Sequence, residues 1–268
     1  MDRDEVDWFD QTGYRLRFGW GPNGLRRLAP VADVVVIVDV LSFSTAVDVL
    51  LGRGAVVLPY RWHDGSEDAF AADHDAVVAS KRAEPGRWSL RPSSLVEVPP
   101  GTRLVLPSPN GSALTFAASD AGASRVMVGS LRNADAVAAA AAPHRTVSVI
   151  AAGERWKGTT GPLRPAVEDL FGAGAILAAL DERWRLDADR SIDQPLDDRL
   201  SPEARTAVAA FIDARPDLAN RLRSCGSGRE LIDKGFAADV DLAADLNTSP
   251  MAPTLRGPEL VDLPPNPV

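Results

Sequence analysis

The chain has 268 residues, 45% apolar and 25% charged, proportions that can build a buried core and that exclude a disordered chain. Its net charge of -8 has the wrong sign for a domain that lives on nucleic acid or anionic lipid. The lone Cys225 excludes an internal disulfide framework and cysteine-based zinc sites and fits a reducing compartment, and three scattered histidines make no multi-histidine metal centre.

The acidic N-terminus lacks the basic start and apolar stretch of a signal peptide. The longest run of large apolar side chains, at 34–38, is too short to span a bilayer, so a cytoplasmic protein with no membrane partner is expected. From there, β-branched runs alternate with alanine-rich stretches of helical period. Strands are expected at 34–38, 55–58, 76–79, 103–106, 125–128 and 146–151, and helices at 44–51, 112–118, 134–142, 166–180 and 202–214. Strands this uniformly apolar belong to a sheet covered on both faces. The expected fold is α/β, a three-layer α/β/α arrangement with a mostly parallel sheet. Residues 82–100, rich in Pro, Ser and Arg, read as a long loop, 181–201 as a charged connector and 255–268 as a proline-rich tail. One domain over 1–268 is expected, or two closely packed subdomains divided near 155–165. Self-association into a homo-oligomer stays open.

Polar residues gather just beyond the carboxyl ends of these strands: Asp39 with Ser42, Ser44 and Thr45; Lys81 and Arg82; Ser108-Pro-Asn-Gly-Ser112; Gly129-Ser130 with Asn133; and Gly153-Glu154. Open α/β sheets bind ligands there, so the five clusters are expected to share one crevice. Each alone is ordinary turn and cap chemistry, but Asp39, Asn110 and Glu154 exceed what capping needs. Asp39 ends a buried strand, where a carboxylate can hold a divalent cation through oxygen. Hydroxyls and backbone N–H groups at the following helix start would take phosphate oxygens. The alternative is a turn acceptor at Asp39 with Ser42 or Ser44 as N-cap. The segment from Ser108 turns sharply at Gly111 and opens a helix at Ser112, a second anion cradle. Glu168 and Asp169 lie in a first helical turn, where the helix dipole stabilises acids without any function. Gly172 and Gly174, each costing about 1 kcal/mol relative to Ala in a helix, point to close approach of another backbone or of a ligand.

Other phosphate chemistries are excluded by spacing. There is no Gly-x-x-x-x-Gly-Lys-Ser/Thr and no Gly-x-Ser-x-Gly. Cys225 stands too close to Arg229 for a cysteine-phosphatase loop, and Asp39-Val-Leu41 lacks the second acid of a haloacid-dehalogenase motif.

Six segments in order resemble the 2-phosphosulfolactate phosphatase family, magnesium-dependent phosphomonoesterases associated with coenzyme M biosynthesis. They are Val38-Asp-Val-Leu41 with Ser44-Thr45; Pro109-Asn-Gly-Ser112; Val128-Gly-Ser-Leu-Arg-Asn133; Ala152-Gly-Glu154; Glu168-Asp-Leu170 with Gly172-Ala-Gly174; and Ser227-Gly-Arg-Glu-Leu231 through Asp239-Val240. The resemblance implies Mg²⁺-dependent hydrolysis of a small phosphorylated acid, 2-phospho-3-sulfolactate giving sulfolactate and phosphate. On this reading Asp39, Glu168 and Asp169 hold the metal, and Ser42, Ser44, Thr45, Asn110, Gly111, Ser112 and Asn133 surround phosphate. Glu154 is the candidate base for water, and Arg82 stabilises the equatorial oxygens.

The chain departs from the family pattern at Ser42, where an arginine is usual, at Ala79-Ser-Lys-Arg82 in place of Gly-Gly-Glu-Arg, and at Trp88-Ser-Leu-Arg-Pro-Ser-Ser94 in place of Gly-Asn-Ser-Pro. Arg91 is a candidate to replace the lost charge. Gly172 stands where the family often has a cysteine, which removes covalent catalysis by that thiol. Cys225 is expected to be dispensable. Two other readings stay open: a non-catalytic anion-binding relative that kept the fold, and a phosphatase for a different phosphorylated acid.

Overall fold

The structure, a computed structural model, describes residues 8–61, 64–82, 84, 87–156, 161–188 and 199–263. In chain order, β1 (Leu16–Trp20), α1 (Gly21–Leu28), β2 (Val34–Val38), α2 (Phe43–Gly52), β3 (Val56–Tyr60), α3 (Ser66–Asp73) and β4 (Val77–Val78) form the first part. Then come β5 (Arg103–Pro107), α4 (Gly111–Asp120), β6 (Arg125–Gly129), α5 (Ala134–Ala141), β7 (Val147–Ala151) and a small hairpin of β8 (Glu154–Arg155) and β9 (Leu163–Arg164). The chain continues through α6 (Val167–Ala188), α7 (Pro202–Ala214), α8 (Leu218–Ser224), α9 (Gly226–Asp233) and α10 (Ala237–Ala243). It closes with β10 (Pro253–Arg256) and β11 (Glu259–Asp262).

All five side chains of β2 are fully buried, because a helical layer lies on each face. Val34, Val36 and Val38 pack with Val137 of α5 and Ile176 and Leu180 of α6, whereas Val35 and Ile37 pack with Leu28 of α1 and Leu114 of α4. Side chains of a strand alternate between faces, so a strand apolar at every position needs both layers. The arrangement is the three-layer α/β/α fold expected from the uninterrupted apolar runs.

The main sheet has nine strands in the order β1-β7-β2-β6-β10-β11-β3-β5-β4. The strands β1, β7, β2 and β6 form one parallel block and β3, β5 and β4 another. Between them sits the antiparallel C-terminal hairpin, which touches each block through one residue pair, Thr254 with Met127 and Leu260 with Val57. The sequence reading took this segment for a proline-rich tail. Pro253 occupies the first strand position, where a missing N–H is tolerated. Gly257, at φ +56, and Pro258 form the two-residue turn, and a glycine of positive φ at its first position fits a tight II′ hairpin turn. The last residues of that tail, 264–268, lie outside the described residues.

Three antiparallel steps across the hairpin make the second block formally run opposite to the first. In a flat sheet the carboxyl ends of β2 and β5 would then lie about 17 Å apart along the strands and five strand spacings, about 24 Å, apart across them. They meet instead, since the Gly111 N–H donates to Asp39 Oδ2 at 2.9 Å. The hairpin junctions, each a single residue pair, therefore do not hold the two blocks as one flat sheet.

The other departures from the sequence reading are local. Strand β1 is short and carries Arg17 and Gly19, which hid it, and α6 continues to Ala188 through what read as a connector. There Asp181 pairs with Arg185 and Arg199. Residues 189–198 of the connector, and 157–160 within the expected subdomain boundary, lie outside the described residues. The two helical glycines have separate explanations. A Cβ on Gly172 would meet Val40 and Val38 side chains at 2.7 and 2.9 Å, and one on Gly174 would meet the Ala207 carbonyl oxygen of α7 at 2.1 Å. Gly174 therefore permits backbone approach between α6 and α7. Gly174→Ala is expected to lower stability by about 1–3 kcal/mol despite alanine's better helix propensity, because the contact is with backbone that cannot rotate away. A urea unfolding midpoint at or above wild type would contradict this packing.

Candidate active site

Asp39 closes β2 and is nearly inaccessible. A buried carboxylate needs partners, and the turn after β2 supplies them. Oδ1 accepts from Phe43 N at 3.3 Å and Oδ2 from Gly111 N at 2.9 Å, so the acid links the start of α2 to the start of α4. Gly111 is required for this approach: a Cβ there would lie 2.2 Å from the Phe43 ring. Asp169, at the start of α6, makes a matching link. Its Oδ1 accepts from Val40 N at 2.7 Å and its Oδ2 from Gly153 N at 2.8 Å, joining the loops after β2 and β7.

Glu154 opens the β8–β9 hairpin with its Oε2 accepting from Asn110 Nδ2 at 3.1 Å. Burial, then the negative charges of Asp39 and Glu168, push its carboxyl up to about 7. Burial raises Asp39 to about 6, with Glu168 adding to the rise and the Phe43 and Gly111 N–H groups and Arg82 opposing it. Asp169 is raised well above the usual carboxylate range by burial and by Asp39 and Glu168. Glu168 is buried, and its Oε2 has no hydrogen-bond partner. Four acids thus share one crevice.

Arg82 faces them. Its Nη2 donates to Ser42 Oγ at 3.2 Å, while Nη1 is buried without a partner. Burial lowers its pKa, and the charges of Asp239, Asp39 and Glu154 oppose that shift.

The hydroxyls expected around phosphate are occupied locally. Ser44 Oγ accepts from Asp39 N at 2.8 Å and donates to Ile37 O, Thr45 Oγ1 donates to Val40 O at 2.8 Å, and Ser112 Oγ donates to Leu106 O at 2.8 Å. All three are fully buried. They shape the turns that present Asp39 and Gly111. Asn133 likewise closes its own turn, its Oδ1 accepting from Ser130 N at 2.8 Å and Oγ at 3.0 Å, with Nδ2 left buried and unpaired. No hydrogen bond ties it to the acidic crevice among the described residues.

Within this frame lie the residues matched by a family model. The model, described as 2-phosphosulpholactate phosphatase, covers residues 23–258. The chain belongs to this family. Two relatives are named probable 2-phosphosulfolactate phosphatase. That of Deinococcus radiodurans is 32% identical over 236 residues, 83% of this chain and 88% of the relative. That of Thermus thermophilus is 29% identical over 234 residues, 84% of this chain and 89% of the relative.

Two charged neighbours of the crevice were not placed there by the sequence: Arg164, which it did not single out, and Asp239, which entered only within a matching segment. Arg164 is the direct cross-strand partner of Glu154 in the β8–β9 hairpin and donates to Ser227 Oγ at 2.9 Å. Only the hairpin register brings it there, and its single preceding residue Leu163 gives no strand signal. Asp239, fully buried in α10, accepts from Ser93 N at 2.8 Å and Arg91 Nε at 3.3 Å. Arg91, proposed from sequence to replace a lost charge, spends it on Asp239 and stacks over Phe236 with 4.4 Å to the ring centre.

Cys225 also lies nearer the chemistry than expected. Its thiol is within reach of Glu168 and of Leu222 O, and its sulfur caps α9 by accepting from Gly228 N at 3.3 Å. Burial and the Glu168 charge push the thiol up to about 12, so it is no thiolate near neutral pH. Among the described residues no three Asp, Glu, His or Cys side chains form a ready metal-holding group. The donors that are present are hard oxygens, with Glu168 Oε2 unengaged, which suits a small divalent cation rather than a soft one.

Two predictions arise here. Serine can cap α9 as cysteine does, so Cys225→Ser is expected to keep turnover within about tenfold of wild type, and a loss beyond about a hundredfold in a folded variant would make the thiol a participant. The raised acids also set a pH dependence of stability. The folded chain holds protons on Asp39 and Glu154 between their ordinary values of 3.8 and 4.5 and their folded values of about 6 and about 7, so stability is fullest below this window and is lost as pH rises through it. The melting temperature of chelator-treated protein is expected to fall from about pH 5 to about pH 8, and less steeply in Glu154→Gln. A Glu154→Gln profile as steep as wild type would remove Glu154 from the buried acidic group.

Proposed function

We propose that this chain is a Mg²⁺-dependent phosphatase that hydrolyses a small acidic phosphomonoester of the 2-phosphosulfolactate type. The observation that carries the reading is the opposition, in one crevice behind β2, β5 and β7, of three buried acids and the half-buried Glu154 with an arginine that has an unpaired buried N–H. Metal-dependent phosphoryl transfer needs acids for a cation and donors for phosphoryl oxygens, held in fixed relation.

Asp39 and Glu168 would hold Mg²⁺, with Asp169 fixing the two loops that carry them. When bound, the ion supplies charge to phosphoryl oxygens and lowers the pKa of a coordinated water. Arg82, oriented by Ser42, would bind the equatorial oxygens and stabilise their charge as the ester bond breaks. Glu154, aligned by Asn110 and backed by Arg164, would accept the proton of the attacking water. Its pKa near neutrality suits that task. Ser42 Oγ accepts from Arg82 and would keep its own proton for a phosphoryl oxygen, whereas Ser44, Thr45 and Ser112 give theirs to backbone carbonyls and shape the turns. The surrounding apolar core excludes bulk water and strengthens each of these interactions.

Two outcomes test the reading. Purified protein assayed on a panel of small phosphomonoesters is expected to release phosphate with Mg²⁺ and to lose that activity in EDTA, recovering when the metal is restored. Full activity after exhaustive chelation would overturn the metal requirement. Asp39→Asn is expected to reduce kcat by about a thousandfold or more. The structure refines how that variant is read. Both Asp39 oxygens accept backbone N–H groups, so an amide turns one acceptor into a donor facing a donor. Melting with and without Mg²⁺ separates the effects: a lost ligand abolishes the metal-induced rise, whereas a broken turn lowers both curves equally.

A further inference from the structure

Asp239 is a fully buried acid beside the crevice that the reaction, as described, does not use. Its helix α10 is firmly seated, since Val240 and Ala243 lie in one apolar core with Leu222 of α8 and Leu231 of α9. A buried carboxylate is costly unless hydrogen bonds or opposite charge compensate it. Among the described residues the compensation comes from a single loop. Oδ1 accepts from Ser93 N at 2.8 Å and Oδ2 from Arg91 Nε at 3.3 Å. Arg91 is held a second time by stacking over Phe236, the residue that precedes α10.

From that anchor a run of short contacts leads to Arg82. Ser94 Oγ donates to Arg91 O at 2.7 Å and accepts from Ser89 N at 3.2 Å, which stiffens the loop. Ser80 N donates to Trp88 O at 2.8 Å, and Ser80 and Ser89 form a parallel bridge. On its other side this segment is tied to β5, where Ala79 N donates to Val105 O at 2.9 Å. Arg82 follows two residues after Ser80. Its guanidinium has little support of its own: Nη2 donates to Ser42 Oγ at 3.2 Å and Nη1 is buried without a partner. Among the charges that oppose the effect of burial on Arg82, that of Asp239 is the largest, ahead of Asp39 and Glu154.

We infer that Asp239 is a positioning residue for Arg82: through the 88–94 loop and its pairing with Ser80, the buried carboxylate holds the guanidinium where it meets phosphoryl oxygens. The inference rests on the phosphatase reading for what Arg82 binds. It makes α10, which contributes no group to the crevice, a determinant of turnover. A group displaced by about 1 Å can cost about a hundredfold in rate, so a remote anchor has a measurable effect.

The test is a double-mutant cycle between Asp239 and Arg82, read in Mg²⁺ as kcat on ethyl phosphate and as calorimetric affinity for inorganic phosphate. Asp239→Asn keeps an acceptor for Ser93 N but loses the charge that holds Arg91. It is expected to lower both quantities by about tenfold in the wild-type background and by less than about twofold in Arg82→Ala. Asp239→Ala, which removes both bonds, is expected to lose more, again only where Arg82 is present. Melting curves check that each variant is folded, and the near-isosteric Asn variant carries the cycle if Asp239→Ala is not. Equal losses in both backgrounds would make Asp239 structural only and overturn the inference, as would wild-type values in folded Asp239→Asn and Asp239→Ala. If ester is hydrolysed and the losses simply add, the phosphatase reading stands and the positioning role falls. If no ester is hydrolysed but phosphate affinity shows the coupling, the phosphatase reading falls and the positioning role stands. Wild-type protein that neither hydrolyses ester nor binds phosphate would overturn both.

Discussion

Four carboxylates in one crevice, three buried and Glu154 half-buried, are the constraint around which this molecule is arranged. Ionised acids removed from water are costly unless hydrogen bonds or opposite charges compensate them. Here the compensation comes from backbone: Phe43 and Gly111 N–H groups on Asp39, Val40 and Gly153 N–H groups on Asp169. Each acid therefore bridges two segments that are remote in sequence. Meeting the cost of burial is what fastens the ends of β2, β5 and β7 to the start of α6. The compensation is incomplete, as the raised Asp39 and Glu154 and the unengaged Glu168 oxygen attest. A site left under-neutralised in this way is suited to bind a cation.

The sheet makes that crevice possible by being discontinuous in polarity. A single parallel sheet would align all carboxyl ends along one edge. Here the C-terminal hairpin separates two parallel blocks, and the turn after β5 lies against the end of β2. Close packing then fixes the junction, with the Phe43 ring filling the space that a side chain at 111 would occupy. The last helices serve the same end. Asp239 of α10 anchors the 88–94 loop, and Cys225 at the cap of α9 borders Glu168. The C-terminal third thus both completes the sheet and walls the site.

Much of this was legible in the chain itself. Uninterrupted β-branched runs such as 34–38 identify doubly covered strands, because only burial on both faces suits apolar residues at every position. The recurrence of Asp, Ser, Asn and Glu just past those runs marks the ligand-binding ends, because strand termini are where polar groups can converge without breaking the core. Asp39, Arg82, Asn110 and Glu154 were singled out on that basis, Glu168 and Asp169 as first-turn helix acids and through the resemblance, and the six ordered segments carry the family.

Local pattern could not decide what depends on contacts between distant segments. Pro253, Gly257 and Pro258 disguise the final hairpin as a tail, since its place inside the sheet depends on partners more than a hundred residues away. Ser44, Thr45 and Ser112 look like phosphate ligands until the carbonyl groups beside them are seen to take their protons. Arg164 and Asp239 lie beside the crevice through a hairpin register and a helix packing that no spacing encodes. Residue types and strand ends are properties of the chain, and sequence determines them. Which polar atoms are spent on the fold and which are left for a ligand is fixed only when backbone donors from separate loops come within hydrogen-bond distance, and tertiary structure alone decides that.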